Sequence, residues 1–178
     1  MRWALICFLA AVAAGFVGID ARATYGARVS ADEPQYLLTA ISLGEDFDLD
    51  ISDELEDQRY LPFHEITVDQ QTIDLNSDGQ RISPHDPLLP LVLAGPMRIG
   101  GWVAAKATLA IMLGFVAAIT HFLASKRFGV DPRIAGLVVV GFFVSSPLAT
   151  YGSQIYPATL AALCVVVAAV GTTGVLQG

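Results

Sequence analysis

Residues 99–123, IGGWVAAKATLAIMLGFVAAITHFL, decide the fold. Only Lys106 and His121 interrupt this run of 25 residues. A helix needs about 17–25 mostly apolar residues to cross the roughly 30 Å hydrocarbon layer of a bilayer. No water is present there, so the backbone must bond within its own segment, and the run reads as a transmembrane helix.

Three more apolar runs flank it. Residues 3–19 (WALICFLAAVAAGFVGI) are uncharged, bounded by Arg2 and Asp20. They read as a first span. A cleaved signal peptide is the alternative, because Ala21-Arg22-Ala23 has the small-x-small form of a cleavage site. Residues 134–149 and 158–176 form a third and a fourth run, separated by a turn at 150–157 that ends on Pro157. A proline suits the first turn of the helix that follows. The expected fold is therefore all-α and integral to the membrane, with about four spans and one long connection, 20–98, between the first two. The last run reaches the final residues without a basic anchor, so the chain reads as the N-terminal part of a longer protein.

Sidedness follows from Lys and Arg in short loops. The turn 124–133 carries Lys126, Arg127 and Arg133, which places it in the cytoplasm. Arg2 agrees, since an even number of crossings separates it from that turn. Both termini are then cytoplasmic, while 20–98 and 150–157 face outward.

Charge is segregated in the same way. Of 17 acidic residues, all but Asp131 lie between Asp20 and Asp86, so the net charge of −7 belongs to the outer loop. No basic stripe exists to neutralise phosphates, which excludes a nucleic-acid partner. The two cysteines, Cys7 and Cys164, sit inside apolar runs and read as small packing residues.

Within the loop, Ser30-Ala31-Asp32-Glu33 has the form of a capping box, with Ser30 as N-cap and Glu33 reaching back. Tyr36, Leu37, Ala40, Ile41 and Leu43 follow at helical spacing. Together they predict a short amphipathic helix on the outer membrane surface. A dense acidic stretch comes next, from Glu45 to Asp57. Asp46, Asp48 and Asp50 alternate as in a calcium loop, but Ile51 stands where that loop needs glycine. Asp74, Asn76 and Asp78 match the start of such a loop more closely, D-x-N-x-D-G, although His85 occupies its twelfth position. A plain Asn-Ser-Asp-Gly turn explains this second match equally well. The segment Ser83-Pro84-His85-Asp86-Pro87-Leu88-Leu89-Pro90 is expected to be a rigid, extended re-entry, since three prolines oppose a regular helix.

This orientation collects Asp32, Glu33, His85, Asp86, Arg98, Lys106, Gln154 and Tyr156 at the outer interface. A lysine within a span costs about 2.5–3.5 kcal/mol at the bilayer centre and less near its edge. Lys106 therefore either snorkels to the head groups or awaits an anion. His121 reads as an interfacial histidine, and His64 has no partner visible in sequence. Asp32 and Glu33 in a first helical turn also complement the helix dipole, without any chemistry.

Three pieces of the chain resemble a known family. They are Ala31-Asp32-Glu33-Pro34-Gln35-Tyr36, the proline-rich segment 83–90, and Ser146-Pro147-Leu148 together with Tyr151-Gly152-Ser153-Gln154-Ile155-Tyr156-Pro157. With a first span followed at once by an outward Asp-Glu pair, a surface helix and a long loop, the chain resembles the GT-C glycosyltransferases. The resemblance is greatest to the protein-mannosyltransferase and aminoarabinose-transferase-like branch of bacterial inner-membrane proteins. It implies transfer of a sugar from a polyprenyl-phosphate donor to an extracytoplasmic acceptor, with Asp32 as general base or orienter of the acceptor hydroxyl and Glu33 as its partner. Cationic side chains would hold the donor phosphate, and Arg98 and Lys106 have the charge and depth for it. Some branches use a divalent cation, which makes one a candidate cofactor here. The competing expectation is a non-catalytic membrane protein whose acidic outer loop binds cations or a protein partner.

Overall fold

The apolar run 99–123 falls in the longest helix among the described residues, α4 (Leu88–Phe122), and in the turn that continues it. The structure is a computed structural model, and it describes residues 1–68, 71, 73–74 and 79–175. Other helices are α1 (Arg2–Val17), α2 (Glu33–Glu45), α3 (Ser52–Glu56), α5 (Pro132–Phe143), α6 (Leu148–Tyr151) and α7 (Ala158–Val175). A single π-helical turn, Leu123–Arg127, continues α4. The only strands among the described residues are β1 (Ile73–Asp74) and β2 (Arg81–Ile82), an antiparallel pair with Ile73 opposite Ile82. The protein is thus mostly helical.

α4 is not one straight rod. Gly100 and Gly101 leave helical geometry, and Gly101 has φ 59° and ψ −155°, a conformation open essentially to glycine alone. From residue 102 to residue 122 the helix runs about 31 Å at 1.5 Å per residue, close to the thickness of a hydrocarbon core. With its π turn, Leu88–Arg127 is long and apolar enough to cross a membrane. The helices Arg2–Val17, Pro132–Phe143 and Ala158–Gly174 are apolar but shorter.

The chain divides into two compact units. One comprises residues 1–19 and 106–178, the other residues 20–105.

The first unit is a helical cluster. Cys7 and Ala11 of α1, Leu113, Val116 and Ala117 of α4, and Val139 and Phe143 of α5 form its core. Small residues allow this approach, as they do where apolar solvent supplies no hydrophobic drive between helices. A Cβ on Gly136 would lie 2.3 Å from Cε3 of Trp3, so the indole of α1 rests directly on the α5 backbone. Asp131 starts α5 by accepting from the N–H groups of Arg133 (2.8 Å) and Ile134 (3.3 Å), with Pro132 in the first position. The expected third run, 134–149, is divided: α5 stops at Phe143 and α6 begins at Leu148, because Pro147 cannot continue a helix. The outer surface of this unit is apolar. Leu5, Leu9 and Phe16 of α1, Phe115 of α4, Leu137, Val138 and Phe142 of α5, and Val165 and Val167 of α7 are all exposed. Both cysteines are free, Cys7 buried and Cys164 exposed.

The second unit has a core of its own around α2. Every residue of α2 from Glu33 to Ser42 is buried. Val29, Ile51, Phe63, Leu89 and Leu93 are buried in the same unit. The expected surface helix therefore exists but does not lie open on one face: the loop folds over it. His64 is buried and its Nδ1 lies 3.0 Å from the Val29 carbonyl, which accounts for a histidine whose partner was not visible in sequence. The proline-rich re-entry is extended only up to Pro87. α4 begins at Leu88, whose N–H donates to Asp86 Oδ1 at 2.8 Å, and Pro90 falls in the tolerated first turn.

Candidate functional site

The site is built where α2 begins. Asp32 is the N-cap residue of α2, yet its side chain makes no capping hydrogen bond. Glu33 bonds the chain that precedes the helix: its Oε2 accepts from the Ser30 N–H at 2.9 Å. The reciprocal half of the expected capping box is thus present, with the N-cap two residues later than Ser30. The consequence is a division of labour between adjacent acids. Glu33 is buried, at 1% exposure, and serves the backbone. The Asp32 side chain, at 41% exposure, remains open to an incoming group.

His85 lies beside it. Its Nε2 is 3.8 Å from Asp32 Oδ1, an ion-pair distance when the imidazole is protonated and too long for a hydrogen bond. The same nitrogen is 3.1 Å from Gln71 Oε1, and the ring packs on Tyr36 with centroids 4.9 Å apart. Burial raises the Tyr36 phenol above its ordinary range, and the charges of Asp32 and Asp86 add to the shift. A half-open carboxylate with an imidazole and a phenol at hand can accept a proton from a bound hydroxyl and be held in place while doing so. Of the residues expected here, Asp32, Glu33, His85 and Asp86 belong to this one unit. Tyr36 and Gln71 were not anticipated. Tyr36 stands one helical turn after Asp32, so its place on the same face was available from spacing, whereas nothing local marks Gln71.

Arg98 sits in the same unit, in the wall of a cleft of ≈ 170 Å³. Its Nη1 donates to the Gly44 carbonyl at 3.2 Å, near the end of α2. Ile41, Phe63, Met97 and Trp102 supply apolar walls, and Arg59 and Glu45 line the cleft with it. Arg59 is fastened to Glu45 by contacts of 2.8 and 3.0 Å. An apolar cleft with a guanidinium at its edge is suited to the junction of a phosphate and a lipid chain.

Lys106, Gln154 and Tyr156 belong to the other unit. Lys106 is buried, and its Nζ donates to the Ile19 carbonyl at 3.5 Å. The ammonium thereby meets the carbonyl end of α1, where the helix dipole favours a cation. Gln154 and Tyr156 lie in the turn before α7 and line a shallow groove with Tyr151 and Pro157. His121, near the end of α4, places Nε2 3.1 Å from the Pro132 carbonyl and ties two helices together.

The calcium-loop alternation does not describe the acidic stretch. Asp48 Oδ1 accepts from Ser42 Oγ (2.8 Å) and the Asp50 N–H (3.0 Å). Asp50 Oδ1 accepts from the N–H groups of Ser52 (3.1 Å) and Arg81 (3.0 Å). Burial opposes ionisation of Asp50, but these bonds and that of the Ser52 hydroxyl outweigh it and hold the carboxyl below its usual range. Both residues shape the loop. Of the second candidate set, Asn76 and Asp78 lie outside the described residues, and Asp74 is described only as part of β1.

Compared with family models, curated proteins and solved structures, the chain matches none.

Proposed function

We propose that this chain is, or forms the N-terminal part of, a multi-pass membrane glycosyltransferase that takes a sugar from a polyprenyl-phosphate donor to an extracytoplasmic acceptor. Asp32 is the general base. It removes the proton of the acceptor hydroxyl as that oxygen attacks the anomeric carbon of the donor. The bond from that carbon to the phosphate oxygen breaks, and polyprenyl phosphate leaves with its electron pair. Arg98 meets the negative charge that develops on the phosphate, and the adjoining cleft accepts the first part of the lipid. Lys106 contributes from its place near the membrane boundary by fixing the end of α1. The four apolar runs cross the bacterial inner membrane, with both termini cytoplasmic and residues 20–98 outside.

One observation carries the reading: Asp32 heads a buried helix with its carboxylate uncapped and half open, while the adjacent Glu33 is buried and bonded to the Ser30 N–H. The exposed apolar side chains of α1, α5 and α7 support membrane embedding beyond the one helix of full spanning length among the described residues.

The test is transfer from a radiolabelled polyprenyl-phosphate sugar in membranes of cells producing the protein. Asp32→Asn should lower transfer by about 10²–10⁴-fold, the usual loss on removing a general base. Expression and insertion should be unchanged. Transfer at the wild-type rate in this variant would overturn the assignment of Asp32.

A further inference from the structure

Elsewhere in the outer unit, three acids separated in sequence come together. One carboxylate oxygen each from Asp46, Asp53 and Glu54 lie within 4.8 Å of one another. Asp46 closes α2, and Asp53 and Glu54 lie in α3, so the cluster joins the end of one helix to the next. Proximity of acids at a surface is common and would mean little without a second feature. That feature is Glu54. Its side chain is 99% removed from solvent, at 1% exposure, and its Oε2 has no hydrogen-bond partner among the described residues. Ionised, that oxygen has lost its hydration without gaining a donor, and the Asp53 carboxyl bonds Glu54 only when the two share a proton. The Arg59 guanidinium is bonded to Glu45.

We propose that Asp46, Asp53 and Glu54 bind a calcium ion that clamps α3 to the end of α2. Three carboxylate oxygens form a hard, anionic donor set with neither nitrogen nor sulfur, which favours calcium or magnesium over zinc. Shell geometry separates the first two: calcium accepts irregular oxygen shells that include several carboxylates, whereas magnesium demands a near-ideal octahedron and keeps most of its waters. Asp46 and Asp53 are exposed, so water can complete the shell from outside while Glu54 supports it from within. The surrounding loop is already braced by Asp48 and Asp50, so little order has to be imposed when the ion binds. In the absence of an ion, burial and then the neighbouring carboxyl of Asp53 push Glu54 up to about 8. The site does not depend on the transferase reading, and it holds the helix that Asp32 heads.

The experiment is calorimetric titration of the full chain, purified in detergent and stripped with chelator, with calcium chloride. One equivalent should bind, with a dissociation constant of about 10⁻⁴–10⁻³ M, the range of extracellular calcium modules. Asp46→Asn and Asp53→Asn, both at exposed positions, should each weaken binding at least about tenfold. Glu54→Gln should abolish it. The double variant Glu56→Gln/Asp57→Asn removes two charges from the same stretch, against one in each ligand variant, and should bind as the wild type does. Absence of binding by the wild type up to about 10 mM, well above that range, would overturn the proposal. So would an equal loss in the control, which would show diffuse attraction by the acidic stretch.

Discussion

Adding one methyl group at Gly136 should separate α1 from α5. A Cβ there would lie 2.3, 2.8 and 3.1 Å from three ring carbons of Trp3. Carbon atoms in van der Waals contact sit about 3.5–4.0 Å apart. The closest overlap is therefore about 1.2 Å or more, which a rigid indole cannot absorb by bending. Either the ring must leave its place or the helices must part, and overpacking of this kind costs about 1–3 kcal/mol. With the ring removed, the same methyl should help instead, because alanine exceeds glycine in a helix by about 0.5–1 kcal/mol. Gly136→Ala, Trp3→Ala and their combination form a double-mutant cycle, whose coupling should reach about 1.5–4 kcal/mol. Thermal unfolding of the four proteins in one detergent, followed by circular dichroism, gives the result. Gly136→Ala should lower the midpoint in the presence of Trp3 and raise it slightly in its absence. A variant as stable as the wild type with Trp3 present would refute the packing of α1 on α5. A cleaved first segment would give that same outcome.

Two further variants test the unit of residues 20–105 and the joint in α4. Gly101→Ala touches no neighbouring atom, so its effect isolates the backbone conformation at φ 59° and should cost about 1–3 kcal/mol in the same melting experiment. Glu54, pushed from 4.5 to about 8 by burial and by Asp53, sets a pH dependence. Between those values the folded chain holds a proton that the unfolded chain has lost. In chelator, stability should therefore fall as pH rises from about 4.5 to 8, by an amount on the order of a few kcal/mol. Glu54→Gln should flatten that slope, and an unchanged slope would mean that Glu54 is not the group responsible.

Local features of the sequence carried over well where one element determines the outcome. Beyond the break at Gly100 and Gly101 the run at 99–123 is helical, a helix begins at the Asp-Glu pair, Glu33 reaches back to Ser30, and Pro157 precedes α7. Features that depend on distant residues did not. Apolar spacing in α2 reports which side chains seek cover, but not that Ile51, Phe63 and Leu93 are buried in the same unit. Proline count argued against a helix before residue 91, yet a proline in the first turn costs no hydrogen bond, and α4 starts three residues earlier. The alternation of Asp46, Asp48 and Asp50 was equally uninformative. Asp48 and Asp50 turn to the backbone, and Asp46 instead meets Asp53 and Glu54 across a bend with Phe47 at positive φ. At the site, Asp32 and His85 are 53 positions apart, and only the folding of the loop between them creates the pair.

All of these assignments presuppose that the acidic unit lies outside a membrane crossed several times, and sidedness can be measured directly. In a background with Cys7→Ala and Cys164→Ala, single cysteines at Asp57→Cys and Lys126→Cys are exposed to a membrane-impermeant maleimide in spheroplasts, before and after permeabilisation. The account predicts that position 57 is labelled in intact spheroplasts and position 126 only after permeabilisation. Labelling in the reverse order, or of both positions from the same side, would contradict it.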